Sequence, residues 1–343
     1  MGYQFLLEPA AWTFFLCLLQ TFSSGSGNFL QDLGLGALPD IAKINVSQDE
    51  YKQMMEVYLS TRRSSPSNNH VPHLVTLDVG HHFRDTSRRN MIDLRANNLP
   101  GELEVDSGEL KLLIDPVSPS DPDVVHVRLY ETFGPKQRQF IDEKKLYLSR
   151  NQTKWCEFDL TDSAQWWLND KINSKLELVC SNCKGGALSV REAFVNALVF
   201  REAVRMKRSV SPFDQTRRTD CRYTGGGSHR MKCCRHNMTV TFKDLRFPEM
   251  ASIVQPKSYE AGYCQGRCPP NYNYATNHSR IQTLVHQMDK KVAKQMSRRA
   301  IPKACCSPSK LAPLEIIRVD PYNTSKLIVE KWENMQVTEC ACS

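Results

Sequence analysis

The chain has 343 residues, a formal net charge of +8, 41% hydrophobic and 24% charged residues, and 13 cysteines. This length allows two or three domains. Beyond the N-terminus no segment approaches the run of about 18 apolar residues that a membrane span needs, and the basic charge comes with no zinc-finger, helix-turn-helix or RNA-binding motif, so membrane insertion and nucleic-acid binding are disfavoured.

Residues 10–19 form an apolar run of signal-peptide length, and small residues follow from Ser23 to Gly27. A cleaved signal over residues 1–27 is predicted, although its first part lacks Lys and Arg and contains Glu8. The alternative, a membrane anchor, is opposed by the shortness of the run. Cys17 would leave with the signal. An export route is oxidising, so the remaining cysteines become disulfide formers. Five N-glycosylation sequons, at Asn45, Asn151, Asn237, Asn277 and Asn323, are consistent with that route.

Tyr51, Met54, Met55 and Tyr58 recur at i, i+3, i+4 and i+7, which predicts an amphipathic helix over 49–59. Its stripe is ordinary packing or a cover for a groove on the tail. Residues 62–69 are polar and break the pattern. Strands are expected at 74–79, 110–114, 124–130 and 145–148. Residues 155–167 pass from a strand into a helix that Thr161 or Asp162 could cap. This predicts a β-rich domain of about 130 residues behind an N-terminal helix. Cys180-Ser-Asn-Cys183 has redox spacing but sits at a strand end and turn, which favours structural disulfides. With Cys156 the region has three thiols, so one is left over and an interchain bond is conceivable. Residues 190–206 read as helix-like.

Arg205-Met-Lys-Arg208 fits the acidic cleft of a secretory convertase through Arg205, Lys207 and Arg208, and the flank from Ser209 is polar and contains proline. The alternative is a basic surface turn. Position favours processing, because the site separates a cysteine-poor part from a cysteine-dense part; Arg217-Arg218 is a weaker second site. Charge divides there too. Residues 209–343 carry 21 Lys plus Arg against 11 Asp plus Glu, and residues 1–208 carry 24 against 26. The expected organisation is signal 1–27, propeptide 28–208 and mature domain 209–343.

In the tail, residues 239–245 alternate as a strand, and 279–296 form the one long helix, with Ile281, Leu284, Val285, Met288 and Val292 on one face. Lys290, Lys291, Lys294, Arg298, Arg299 and Lys303 make a positive patch, either a solvated face or a contact for heparan sulfate. Residues 314–319, a turn at 320–325, and 326–340 read as a long hairpin. Nine cysteines fall at 221, 233, 234, 264, 268, 305, 306, 340 and 342. If 264 bonds 340 and 268 bonds 342, two short segments close a ring that a third bridge can thread past Gly266. Nine is odd, which suggests a bond to a second chain. Arithmetic alone leaves the pairing open. A module this thin has almost no central core and long exposed strands, so disulfides must substitute for packing.

Cys233-Cys234, Val240-Thr-Phe-Lys-Asp-Leu245, residues 259–269, Cys305-Cys306-Ser-Pro and the terminal Glu-Cys-Ala-Cys-Ser343 resemble the mature domain of the transforming growth factor beta superfamily. Residues 155–167 are more loosely similar to its propeptide. The resemblance implies a small disulfide-rich cystine knot with two β-hairpin fingers and one long helix, behind a β-rich propeptide with an N-terminal helix. It implies the pairs Cys221–Cys234, Cys233–Cys306, Cys264–Cys340 and Cys268–Cys342, with Cys305 bridging two identical chains. It implies a secreted growth factor that clusters type I and type II receptor serine/threonine kinases; retention of the cleaved propeptide is expected from the 49–59 helix and the opposite charge balances of the two parts. Leu314, Ile316, Val319, Leu327 and Val329 are its candidate type II face. Tyr272 and Tyr274, with the helix side opposite the apolar stripe, are candidates for type I. Nine cysteines resemble the activin and TGF-β branch more than the seven-cysteine bone morphogenetic branch. Residues 221 and 233 are spaced more widely than in that branch, across Gly225-Gly-Gly227. Where the family has two tryptophans this chain offers only Phe247 and Ser252.

An enzyme is disfavoured. His81-His82, His229 and His236 make no spaced catalytic or zinc motif, and no nucleophile elbow or phosphate loop is present. No cofactor is expected. The competing function is a non-signalling extracellular antagonist, which the missing tryptophans keep open.

Overall fold

The computed structural model describes residues 37–64, 72–84, 90–94, 103–116, 123–133, 137–170, 174–183, 188–201, 220–221, 231–245, 247–296 and 298–343. The expected signal (1–27), the basic sites at 205–208 and 217–218, Ser209 and residues 225–227 lie outside them. Among the described residues no helix is long and apolar enough to cross a membrane.

Among the described residues before 208, the strands form two antiparallel sheets. One runs β1 (His73–Asp78), β9 (Val190–Arg201), β4 (Leu103–Ile114), β7 (Lys154–Asp159). The other runs β2 (Gly80–Arg84), β3 (Asn90–Leu94), β8 (Ser174–Cys180), β5 (Val124–Thr132), β6 (Arg138–Tyr147). Side chains alternate across a strand. Leu110, Leu112 and Ile114 from β4 therefore meet Val125, Val127 and Leu129 from β5 in one core. The helix-like reading of 190–206 is corrected: residues 190–201 are a central strand. β9 pairs with β4 along almost its whole length. Its alternating Ala193, Val195 and Ala197 are all buried, and burial on both sides removes the polar face that would reveal a period of two.

Helix α1 (Gln48–Ser64) runs beyond the expected 59, through the polar residues that were expected to break it. Helix α2 (Thr161–Asp170) follows β7 directly. Its first amide is accepted by Asp159, not by Thr161 or Asp162: the Thr161 N–H donates to Asp159 Oδ1 at 3.0 Å. Trp167 anchors the helix by donating from Nε1 to Glu131 Oε1 at 2.6 Å.

The tail is two fingers and a helix. The first finger pairs β10 (Cys234–His236) with β14 (Tyr263–Gln265) and β11 (Thr239–Thr241) with β13 (Ser258–Glu260). The strand expected over 239–245 ends at Thr241, and 242–245 is a 3-10 turn. That turn sends Phe242 inward, where its ring lies 5.4 Å from Tyr259 and 6.1 Å from Trp332. The second finger is β15 (Cys306–Val319) with β16 (Leu327–Cys342), and β12 (Ile253–Gln255) adds to its edge. Contrary to the coreless expectation, Phe242, Met250, Ile253, Leu314, Ile316 and Trp332 make a compact apolar cluster between the fingers. Helix α3 (Asn277–Gln295) starts in a capping box: Thr276 and Ser279 each accept from the other's backbone amide.

Candidate functional site

The base of the fingers is a threaded ring. Cys264–Cys340 and Cys268–Cys342 close it, Cys233–Cys306 passes through, and Cys221–Cys234 lies outside. Gly266 makes the passage possible. Its φ is +130°, and an added Cβ would stand 2.4 Å from the Lys232 carbonyl oxygen, next to the bridge that threads the ring. Tyr272 and Tyr274 pack against this knot. Tyr272 donates to the Cys233 carbonyl at 3.0 Å, and the Tyr274 hydroxyl accepts from the Asn271 amide at 2.9 Å. Both are half-buried props of the loop before α3. Sulfurs of Cys233, Cys268 and Cys342 approach one another closely enough to hold a metal, as do Cys221, Cys234 and His236. All of these cysteines are oxidised to disulfides, so thiolate ligation is closed to them.

Cys305 is the exposed free thiol beside the knot. Helix α3 presents Ile281, Leu284, Met288 and Val292 to the outside, with Met288 76% exposed. A helix stripe of that kind needs a covering surface.

The second finger is covered by the part of the chain before the basic site. Helix α1 lies between β9 and the finger. Its buried face, Tyr51, Met55, Tyr58 and Leu59, joins Leu198 on one side and Val254, Ile317, Val319 and Leu327 on the other. At the fingertip, Glu50 accepts from Lys326 Nζ at 2.7 Å and from the Leu327 amide at 3.1 Å. Burial raises the Glu50 pKa, but these two bonds outweigh it and hold the carboxyl below its ordinary value. A second contact joins β4 to β12 and the residues after it. Gln255 donates to Ser107 Oγ at 3.1 Å, and Lys257 lies 3.8 Å from Glu109.

Covering the outer face of β4 buries the charges that alternate with its core leucines. Lys111 is fully buried, 2.6 Å from Glu157 and 4.8 Å from the Tyr51 ring centre. Glu109 is buried beside them; desolvation, with the Glu157 charge, pushes its pKa up. Glu157, also desolvated, is held at about 2 by Lys111 and Lys257.

The expected exposure of the candidate receptor residues is corrected. Leu314 and Ile316 are buried inside the tail's own core. Val319 and Leu327 are buried under α1, and Val329 is half-buried at the same contact. The expected propeptide thiols divide differently from an interchain bond. Cys180 and Cys183 bond each other, and Cys156 is buried, its pKa pushed up to about 12 by desolvation. A thiol in that state is inert.

Residues 232–342 match the transforming growth factor beta like domain. The tail of this chain is a transforming growth factor beta like domain. Similar proteins include a DVR-1 homolog of Strongylocentrotus purpuratus, 27% identical over 302 residues, which are 76% of this chain and 62% of that protein. Bone morphogenetic protein 2 of Tetraodon nigroviridis is 25% identical over 294 residues, 71% of this chain and 66% of that one. Bone morphogenetic protein 4 of Gallus gallus is 23% identical over 345 residues, 88% of this chain and 79% of that one. The chain spans under two thirds of the length of the first two. All three matches are longer than the tail, so similarity to the superfamily extends into the β-rich part. The bone morphogenetic names among these relatives do not follow the cysteine count, which pointed to the activin and TGF-β branch.

Where the superfamily resemblance implies two tryptophans, Phe247 is 41% exposed and lines a cavity of about 380 Å³ whose wall also includes Glu109 and Lys257, and Ser252 is buried, donating to the Glu249 carbonyl. Of the basic patch, Lys290, Lys294, Arg298, Arg299 and Lys303 are exposed, and Arg298 is paired with Asp289. Asn151, Asn237, Asn277 and Asn323 are exposed. Asn45 is not: it is half-buried, with both ends of its amide in hydrogen bonds. The motif pattern of a sequon carries no signal of that burial.

Proposed function

We propose that this chain is the precursor of a secreted, disulfide-linked dimeric growth factor that acts by bringing receptor serine/threonine kinases together. The observation that carries this reading is the threaded ring that leaves Cys305 unpaired and exposed, in a tail whose long helix also has an uncovered apolar face. A second copy related by a two-fold axis places Cys305 against its own equivalent and covers the α3 stripe. In this reading residues 1–27 direct export, cleavage after Arg208 creates a new terminus at Ser209, and residues 28–208 remain bound through α1. A dimer displays each receptor face twice, and two type I and two type II receptors are held close enough to phosphorylate one another. The ligand supplies proximity and no chemistry of its own. The exposed lysines of α3 give it a salt-dependent affinity for heparan sulfate, read by elution from a heparin column.

The test is the purified, processed tail in a receptor-kinase-dependent reporter assay. Activity at nanomolar dimer, abolished by a kinase inhibitor, is expected; binding to cells without reporter activity is the outcome of the second reading. That second reading, an antagonist, is favoured by Phe247 and Ser252 standing where the superfamily's tryptophans are expected.

A further inference from the structure

Asn45 is the point where three parts of the molecule meet. Its Nδ2 donates to the Thr153 carbonyl at 3.1 Å, and its Oδ1 accepts from the Trp155 amide at 2.7 Å, so the side chain is fastened to the start of β7. Its backbone N–H donates to the Thr324 carbonyl at 3.0 Å, at the tip of the second finger. Val46, next to it, is 4% exposed and joins Val319 and Leu327 in the contact under α1. Ser47 then accepts the Glu50 amide at 3.1 Å and starts the helix whose Glu50 holds Lys326. The junction is therefore a fixed order of contacts, from sheet to Asn45 to fingertip to helix.

The same three residues, Asn45-Val46-Ser47, are an N-glycosylation sequon. Modification transfers an oligosaccharide from a lipid-linked diphosphate donor. A bond forms between Nδ2 and the first sugar carbon, Nδ2 gives up one proton, and the lipid diphosphate leaves. The acceptor nitrogen is the atom that donates to Thr153. A sugar ring on it has to stand in the junction between residue 45 and the 153–155 backbone. The modified amide keeps its oxygen and a single N–H, so the exclusion is steric: the sugar, standing against the 153–155 backbone, pushes residue 45 off β7 and displaces the chain that reaches Thr324. The contrast with the second sequon is sharp. Asn151 is exposed, and Thr153, the third residue of its sequon, supplies the carbonyl that Asn45 uses.

We infer that glycosylation of Asn45 and the grip of the N-terminal segment on the fingertip exclude each other, so that occupancy of this one sequon divides the secreted product into a held and a released form. The inference rests on the export reading above. Sequon use occurs while the chain enters the secretory route, before residues 153–155 and 324 have folded around residue 45. Each molecule is therefore committed before the junction forms.

The test captures the cleaved, secreted product on its tail and separates bound from unbound prosegment. Enzymatic deglycosylation in ¹⁸O water then marks each occupied asparagine for peptide mass spectrometry. Occupancy at Asn45 is expected to be at least about tenfold lower in the bound fraction, the size of effect that loss of two hydrogen bonds produces. Occupancy at Asn151 should be equal in both. Two variants leave the asparagine in place. Ser47→Thr keeps a capping hydroxyl and the sequon, and should not change the exclusion between the fractions. Ser47→Asp keeps a strong helix cap and abolishes the sequon, so its prosegment should be recovered wholly in the bound form. Equal Asn45 occupancy in bound and unbound fractions overturns the inference, as does a Ser47→Asp prosegment released to the wild-type extent. Failure to recover any tail from the medium would instead remove the export reading itself, whereas a secreted product with no glycan on Asn45 in either fraction counts as equal occupancy and overturns the inference.

Discussion

Single residues set the two chemical commitments of the tail. Gly266→Ala places a Cβ against the Lys232 backbone at a positive φ, so strain of roughly 1–3 kcal/mol adds to the clash. Secretion of disulfide-intact tail should fall sharply, read by non-reducing electrophoresis of the medium. Cys305→Ser should convert the covalent dimer to monomer while mass analysis still finds four internal bonds; a persistent disulfide dimer through another cysteine contradicts that assignment. Two buried carboxyls give the grip on the fingers opposite pH signs. Glu50 has a lowered pKa in the folded precursor, so its contribution is present above the ordinary value of 4.5 and is lost as pH falls through the lowered one. Glu109 has a raised pKa, so its ionisation weakens the folded state as pH climbs from 4.5 through the raised value. Glu50→Gln should therefore loosen the bound prosegment at neutral pH. Glu109→Gln should leave it as tight or tighten it by about 1 kcal/mol, because a desolvated charge is removed. Titration of complex dissociation between pH 3 and 8 checks both. The spacing of the cysteines made the ring and Gly266 legible. Nothing local marked Glu109 or Lys111 as buried, because a charge alternating with leucine looks like the wet face of a strand until another element covers it.

At the scale of elements, α1 decides how the two parts hold together. Tyr51, Met55 and Tyr58 are almost completely buried between the sheet and the second finger. Met55→Ala should cost roughly 2–5 kcal/mol at such a site and lower recovery of the prosegment in a pull-down on the tail. The apolar contact should persist at about 0.5 M salt, where exposed ion pairs are screened; loss of the complex at that salt would mean the grip is electrostatic. The i, i+4 stripe revealed the helix, and its use as a cover was one of two readings. Its true length was hidden because residues 60–64 are polar and their helicity is extended from an anchored first turn. β9 was hidden for the opposite reason: a strand apolar on both faces has no period to detect. The fingers appeared exposed because a strand's inner partner cannot be read from the strand alone.

At the scale of the molecule, a near-neutral β-rich part and a strongly basic knot are joined by contacts that hide much of the proposed type II face. Leu314 and Ile316 belong to the tail's own core and stay buried in any state, whereas Val319, Leu327 and Val329 become accessible only when α1 leaves. The covered hairpin therefore predicts that receptor access and prosegment retention compete for one surface. The decisive measurement is binding of the processed dimer to a panel of immobilised type I and type II receptor ectodomains, repeated with increasing concentrations of the purified prosegment, with phosphorylation of the intracellular effectors followed in parallel. The account predicts binding to at least one type II ectodomain, effector phosphorylation by the free dimer, and loss of both as the prosegment is added. A correctly folded dimer that binds no type II ectodomain would contradict it.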